Sequence, residues 1–343
     1  MDVVLFLLFI LGFLSAGRIF TRKIWNLNFS GPAETFVFSS ALGSVIASVM
    51  MTGLVFIGQV SSLTCWGVLA ILLFSGIGSL RECRQWRFTA GLTSPVFFPL
   101  SPLKTAAQTI LGMLVLLALS LALAPAFATD ALVYHLAVPK AFLQAGGLVN
   151  LPNNIYSFFP QQMEMLYLFA LALGSDSLAQ LTGMGIVFLL LLALWQYYRQ
   201  KGSAAYAWLV PLIFISTPTF FSVASSAYVD LQAAAYVFLA FYSWENGCTR
   251  KQAGWFFLMA LFTGAAVATK LTTVVILPLA LLGLAVHGRS HKNTRQVAGQ
   301  CLVLVLGCLM LLLPWLARNY YFTGNAFAPF FINFFGRENG MNW

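Results

Sequence analysis

Charge is what this sequence has least of. Only 8% of its 343 residues are Asp, Glu, Lys or Arg, against about 25% in a soluble domain. That scarcity excludes an ordinary globular fold with a solvated surface. Acids are rarer than bases, nine against 18, and histidine occurs three times. Cys65, Cys83, Cys248, Cys301 and Cys308 form no CxxC pair and mostly lie in or beside apolar runs. They read as small hydrophobes, not as redox or metal ligands. HExxH, Walker, GxSxG and zinc spacings are missing too, which argues against soluble nucleotide chemistry. The net charge of +9 is spread over separate loops and forms no continuous stripe, so it does not point to nucleic acid. No low-complexity tract, internal repeat or soluble domain is visible.

What fills the chain is apolar sequence. Hydrophobic residues make up 60% of it, and a bilayer crossing needs about 20 of them in a row. Ten spans are expected: Val3–Gly17, Thr35–Gly58, Leu63–Leu80, Thr105–Pro125, Leu178–Tyr198, Ala204–Phe221, Tyr228–Trp244, Gly254–Thr269, Leu271–His287 and Val297–Ala317. The shorter Gln161–Leu173 run, after Phe-Phe-Pro, reads as a half-span or juxtamembrane helix. The fold class is therefore all-α, a polytopic transmembrane helical bundle. Residues 1–104 form three N-terminal spans and a basic inner loop. Residues 105–343 form the main transmembrane module, with an outer loop at 126–160. The first run has almost no basic residue before it, which suits a retained span with its N-terminus outside rather than a cleaved leader.

The bases fix the direction of the threading. Fourteen of the 18 fall in five clusters: Arg18/Arg22/Lys23, Arg81/Arg84/Arg87/Lys104, Arg199/Lys201, Arg250/Lys251 and Arg289/Lys292/Arg295. Short loops rich in Lys and Arg stay cytoplasmic. Placing all five clusters inside leaves Lys140, Lys270, Arg318 and Arg337 in the outer half or beyond it. The same threading carries Asp130, Glu164 and Asp230 to the outer side. Scarce charges of both signs are thus expected to meet there.

Each has a bland alternative. Asp130 could simply end a span, yet a helix through this stretch would bring Tyr134 onto its face, with His135 next to it. A desolvated carboxylate there suits a general base. Glu164 and Asp230 stand at helix starts, where an acid also favours the helix dipole. Lys270 interrupts the apolar stretch from Trp255 to Val286, and so needs a cavity or an anion. Arg318 suits either snorkelling at the interface or a two-pronged grip on phosphate. His287 and His291 adjoin a basic loop and read as structural. The small residues Ser40, Gly43, Ser44, Ala47 and Ser48 recur at helical spacing and read as a close-packing face.

Four stretches resemble the polyprenyl-phosphate-sugar-dependent membrane glycosyltransferases of the GT-C fold, the broad group of lipid A aminoarabinose transferases and protein O-mannosyltransferases. They are Asp130-Ala-Leu-Val-Tyr-His with the 156–167 run YSFFPQQMEMLY, Thr217-Pro-Thr-Phe with Ala227-Tyr-Val-Asp, Thr263-Gly-Ala-Ala-Val-Ala-Thr-Lys, and Pro314-Trp-Leu-Ala-Arg-Asn-Tyr with Thr323-Gly-Asn-Ala-Phe-Ala-Pro. Order and spacing match over about residues 105–335. The resemblance departs in two ways: three extra spans precede Asp130, and the chain stops at Trp343. It implies that Asp130 is the catalytic acidic residue, with Asp230 beside it in the catalytic set, and that Asp230 and Lys270 line an outer-face cavity. The partners it implies are a polyprenyl-phosphate sugar donor, membrane lipids, and an acceptor glycan, lipid or protein. The cofactor is open; a divalent cation, where one is used, would be held by Asp230 and Glu164. Tyr134, His135, Glu164, Lys270 and Arg318 are the expected substrate-binding set, and the apolar faces near Phe158, Phe159 and the Tyr320–Phe335 stretch are expected to hold the lipid tail. The implied localisation is a bacterial inner membrane with the active face outward. A transporter or flippase is the alternative that intramembrane charges also suit, and a catalytically inactive membrane scaffold with its outer charges dispersed is the third reading.

Overall fold

A computed structural model of the chain describes residues 1–76, 78, 102–291, 294–331 and 334, without the side chains of 103, 104 and 289–291. Arg81, Arg84, Arg87, Lys292, Arg337 and Cys83 lie outside the described residues, as do the side chains of Lys104 and Arg289. Everything described is helix or connection, with no strand among the described residues. Six helices are long and apolar enough to cross a membrane: Asp2–Ile24, Pro32–Phe56, Thr105–Ala122, Asp176–Lys201, Leu271–Gly288 and Thr294–Thr323. Ser62–Ser75, Gln162–Leu173 and Gly254–Thr269 are shorter apolar helices.

In chain order the helices are α1 (Asp2–Arg18), α2 (Pro32–Phe56), α3 (Ser62–Ser75), α4 (Pro102–Ala122), α5 (Ala137–Ala145), α6 (Gln162–Leu173) and α7 (Asp176–Lys201). Then come α8 (Leu209–Ser216), α9 (Pro218–Ala224), α10 (Asp230–Arg250), α11 (Gly254–Thr269), α12 (Ile276–His291) and α13 (Thr294–Thr323). Local sequence sets several boundaries. Ser61 and Thr64 close a reciprocal capping box on α3, and the Ser175 hydroxyl caps α7. The expected span Ala204–Phe221 is not one helix. It breaks at Thr217, which takes an extended conformation (ψ 120°) before Pro218. A residue before proline is pushed out of the helical region.

One core runs through the bundle and joins the N-terminal helices to the remainder, with Phe9, Phe38, Phe169, Tyr242 and Trp255 among its buried rings. Phe9 of α1 stacks on Phe169 of α6 at 4.4 Å. The α1–α2 contact is backbone on backbone. A Cβ on Gly43 would lie 1.8 Å from the Phe13 carbonyl oxygen, and one on Gly17 would lie 1.8 Å from that of Ser39. The small-residue face of α2 is thus a packing surface, as its spacing indicates. Gly43→Ala is expected to cost about 1–3 kcal/mol, because the helices must part to admit a methyl group. A lowered Tm for Gly43→Ala beside an unchanged one for Gly53→Ala, whose Cβ would meet nothing within 4 Å, checks this.

The bundle has two chemically different ends. At one, Glu34 is buried and accepts from Tyr242 Oη (2.8 Å), Arg250 Nη2 (2.9 Å) and the Ser30 backbone N–H (2.6 Å). Lys201 pairs with Glu245 at 2.6 Å there. The clusters that close α1, α7 and α10 share this end. The opposite end gathers the start of α1, the end of α4 and the start of α7. Asp176 accepts from the Ala126 backbone N–H (3.1 Å), and Asp2 accepts from the Ser175 hydroxyl.

Hydrogen bonds also set depth. Tyr236 Oη meets Ser44 Oγ at 2.9 Å, and Glu34 meets Arg250, so α10 runs antiparallel to α2. Asp230 is then level with about residue 50 of α2, roughly 9 Å short of the α2 end at 1.5 Å per residue. Helix α6 begins deeper still, where Gln162 Nε2 donates to Ser48 Oγ. Its 12 residues cover about 18 Å, too short for a crossing of about 30 Å. It rises to Gly174 and turns straight into α7.

Candidate functional site

The connection after α4 makes the first wall of a recess at this second end. Asp130 leads into a π-helical turn, Ala131–His135, a conformation that occurs often at functional sites. Tyr134 Oη donates to Asp130 Oδ2 across 3.4 Å, and the two neighbouring rings, Tyr134 and His135, lie 4.0 Å apart. Asp130 is exposed and His135 is buried. Burial is the main force pushing the Tyr134 phenol above its ordinary value. The carboxylates of Asp130, Glu164 and Asp230 add to it in that order. Three of the chain's nine acids therefore converge on one hydroxyl, which stays a neutral donor.

The first turn of α6 supplies the floor. Glu164 Oε1 lies 2.7 Å from His135 Nδ1, with both side chains almost fully buried. A third element enters where α11 ends. Lys270 caps it in an extended conformation, followed by a 3₁₀ turn, Leu271–Val275. Lys270 Nζ donates to Asp230 Oδ1 at the start of α10. Their side chains are 38% and 48% exposed, so solvent screens this pair far more than the buried one.

Together these segments enclose a cavity of about 360 Å³, within the size range of small-molecule sites. Its lining is of two kinds. One is a run of rings: Tyr134 stacks on Tyr156 at 4.4 Å, Tyr156 meets Phe159 at 6.2 Å, and Phe159 meets Phe330 at 5.9 Å. The other is polar: His135, Gln161, Glu164, Thr269, Lys270 and Thr272; Pro160, Val229 and Leu271 complete the wall.

Arg318 stands behind this lining and not in it. It is 2% exposed. Its Nη2 donates to the Phe159 carbonyl (3.0 Å) and to Asn319 Oδ1 (2.8 Å), and its guanidinium lies over Trp315 at 5.1 Å. Asn319 Nδ2 in turn donates to the carbonyls of Phe158 (2.8 Å) and Ala328 (2.9 Å). The Arg318–Asn319 pair thus clamps the two irregular segments that carry Phe159 and Phe330. Its other side faces a separate cavity shared with Phe56, Tyr320 and Tyr321. Asn319→Leu is expected to lower stability by at least about 2 kcal/mol, since each buried carbonyl left unpaired costs about 1–3 kcal/mol. Thermal unfolding in detergent checks this; a Tm equal to the wild type's removes the clamp.

Of the residues singled out from sequence, Tyr134, His135, Glu164 and Lys270 line the cavity. Asp130 and Asp230 each touch a lining residue. Arg318 contacts only its backbone wall. Sequence reasoning missed Tyr156, Gln161 and Thr269 as lining residues, and expected Phe159 and the stretch that carries Phe330 at the lipid tail instead. Phe159 and Gln161 flank Pro160, and Thr269 precedes the one charge in an apolar run; those were the available signals. Asp230 and Glu164 do not share a ligand set, since one is committed to Lys270 and the other to His135. No group of three His, Cys, Asp or Glu side chains among the described residues could hold a metal ion.

An all-helical bundle with membrane-length apolar helices and a recessed, charge-bearing cavity at one end defines a polytopic membrane protein with a ligand-sized site. The chain belongs to the DUF8201 family, a domain of unknown function, whose model matches residues 2–338. No curated protein and no solved structure matches it.

Proposed function

We propose that this protein is a membrane glycosyltransferase that moves a sugar from a polyprenyl-phosphate donor to an acceptor glycan, lipid or protein. The observation that carries this is the convergence of the Asp130–Tyr134 contact, the His135–Glu164 pair and the Asp230–Lys270 ion pair on one cavity. These are also the places where the resemblance falls: the 130–135 and 156–167 stretches, the run ending at Asp230, and the run ending at Lys270.

In this reading Asp130 accepts the proton of an acceptor hydroxyl or amine as it attacks the anomeric carbon. The departing phosphate needs charge stabilisation more than a proton, and Lys270 supplies it. Asp230 holds Lys270 in place until phosphate takes over the ion pair. Tyr134 orients the Asp130 carboxylate through its hydrogen bond. Arg318 acts on the donor through the wall it clamps. The chain crosses the membrane ten times, with half-span α6 entering from the outside and the basic end in the cytoplasm. The active face then points outward from a bacterial inner membrane.

Incubating the protein in nanodiscs with labelled polyprenyl-phosphate sugars and cell-envelope acceptors tests the activity. Label in an acceptor supports it. Label carried across sealed vesicles with the donor left intact replaces it with lipid translocation. Orientation has its own check. In a cysteine-free background, Gln59→Cys should react with an impermeant maleimide added outside intact cells, and Lys251→Cys only after lysis. The opposite pattern inverts the threading.

A further inference from the structure

Buried polar atoms nearly always have partners. Around the cavity four do not, among the described residues: His135 Nε2, Gln161 Oε1, Glu164 Oε2 and Thr269 Oγ1. The residues that carry them are no more than 3% exposed. The hydrogen bonds that do form decide what the first two atoms want. Glu164 Oε1 sits on His135 Nδ1 at 2.7 Å, and an ionised carboxylate can only accept, so the ring hydrogen belongs on Nδ1. A neutral ring then presents Nε2 as a bare acceptor. The Gln161 amide donates to the Tyr156 carbonyl (3.4 Å), which leaves its Oε1 as the second acceptor. Thr269 Oγ1 adds a hydroxyl that can do either.

Much of the remaining lining is aromatic, with Pro160, Val229 and Leu271 beside the rings. Stacked Tyr134 and Tyr156 with Phe159 present apolar faces of the kind that cover a flat apolar surface. An occupant that suits this lining must donate hydrogen bonds from its edge and offer an apolar face. The ring itself needs no charge, because hydroxyl donors satisfy these acceptors, and Lys270 on the same lining is left to the donor phosphate. A pyranose or furanose ring has that pattern: hydroxyls around the rim and C–H groups on the face.

We propose that the cavity is the sugar subsite. In it a neutral hexose or pentose ring lies against Tyr134 and Tyr156 and donates one hydroxyl each to His135 Nε2 and Gln161 Oε1. His135 and Gln161 then select which sugar is used, and Glu164 is a positioning residue that fixes the histidine tautomer. This rests on the glycosyl-transfer reading for the order of parts, with the donor phosphate at Lys270 and its sugar in the cavity. It goes beyond that reading in naming the groups that recognise the sugar.

The probes are citronellyl phosphate and a panel of its hexosyl and pentosyl esters, with binding measured by calorimetry on the full chain in nanodiscs. At least one ester should bind more tightly than citronellyl phosphate. His135→Asn keeps a donor for Glu164 but deletes the Nε2 acceptor. It should cost that ester about 3–10-fold in affinity, the worth of one neutral hydrogen bond, and leave citronellyl phosphate unchanged. A deoxy ester lacking the contacted hydroxyl should lose nothing further in the variant.

A second measurement does not depend on that variant folding. The His287→Gln/His291→Gln double variant leaves His135 as the chain's single histidine. Its ¹⁵N spectrum at mildly alkaline pH should show hydrogen on Nδ1 and none on Nε2. The Nε2 signal should move with the ester and not with citronellyl phosphate. Hydrogen on Nε2, equal losses for both ligands, or no ester gaining over citronellyl phosphate overturns the proposal. Sugar-dependent binding without transfer to any acceptor keeps the subsite and removes the transferase reading. Transfer by a protein whose His135 carries hydrogen on Nε2 does the reverse.

Discussion

Asp130→Asn should abolish sugar transfer, with a fall of about 10²–10⁴-fold, the usual worth of a general base. Expression and donor binding should stay close to wild type. The substitution keeps the shape of the side chain and an oxygen that can accept from Tyr134 Oη, now 3.4 Å from the carboxylate. Only the proton acceptor is lost. Asp130 is exposed, so no buried network collapses with it. Single-turnover transfer on a preformed donor complex separates the effect from binding. Undiminished turnover would take Asp130 out of the catalytic role and leave Tyr134 answering to Glu164 and Asp230 alone.

Lys270→Met should weaken the phosphate-bearing donor by about 10–100-fold, in line with about 1.5–3 kcal/mol for hydrogen bonds to a charged group. A dephosphorylated lipid analogue should bind as before. The ion pair with Asp230 makes the contrast informative. If the lysine serves only to neutralise Asp230, its removal weakens both ligands equally and lowers the Tm. The partial exposure of both partners, 38% and 48%, favours the selective outcome, because water can resolvate an orphaned Asp230 and limit the loss of stability.

How much of this could be read in advance depended on the kind of signal. Charge is so rare here that each acid or base carries topological information. Basic clusters alternating with apolar runs therefore placed Asp130, Glu164, Asp230, Lys270 and Arg318 at one end of the bundle. The i, i+4 spacing of Asp130 and Tyr134 gave their contact. The His135–Glu164 pair had no such trace, since 29 residues separate them and only the return of α6 brings them together. Arg318 was legible as a charge at the right end but not as a clamp. Its partner is a backbone carbonyl, and carbonyls have no residue type. Apart from Tyr134, the aromatic lining was not legible as a cavity for the opposite reason: among 32 phenylalanines and 11 tyrosines, the other three rings stand out in no pattern. The break at Thr217 was legible in Thr-Pro, though the apolar residues on both sides read as continuous.

The Arg318–Asn319 clamp lies in α13, C-terminal to the Phe158–Phe159 wall and to the helices around it, with only the segment that carries Phe330 still to follow. During synthesis α2, α6, α10 and α11 are all made before it. Until residue 319 emerges, the carbonyls of Phe158 and Phe159 lack their donors, and the wall that carries Tyr156 and Phe159 is untethered. A translation product cut off after α12 would therefore hold Asp130, His135, Glu164 and Lys270 without a closed recess around them. Assembly of the site becomes a checkpoint at the end of biogenesis, at which a quality-control protease could tell a finished chain from an interrupted one.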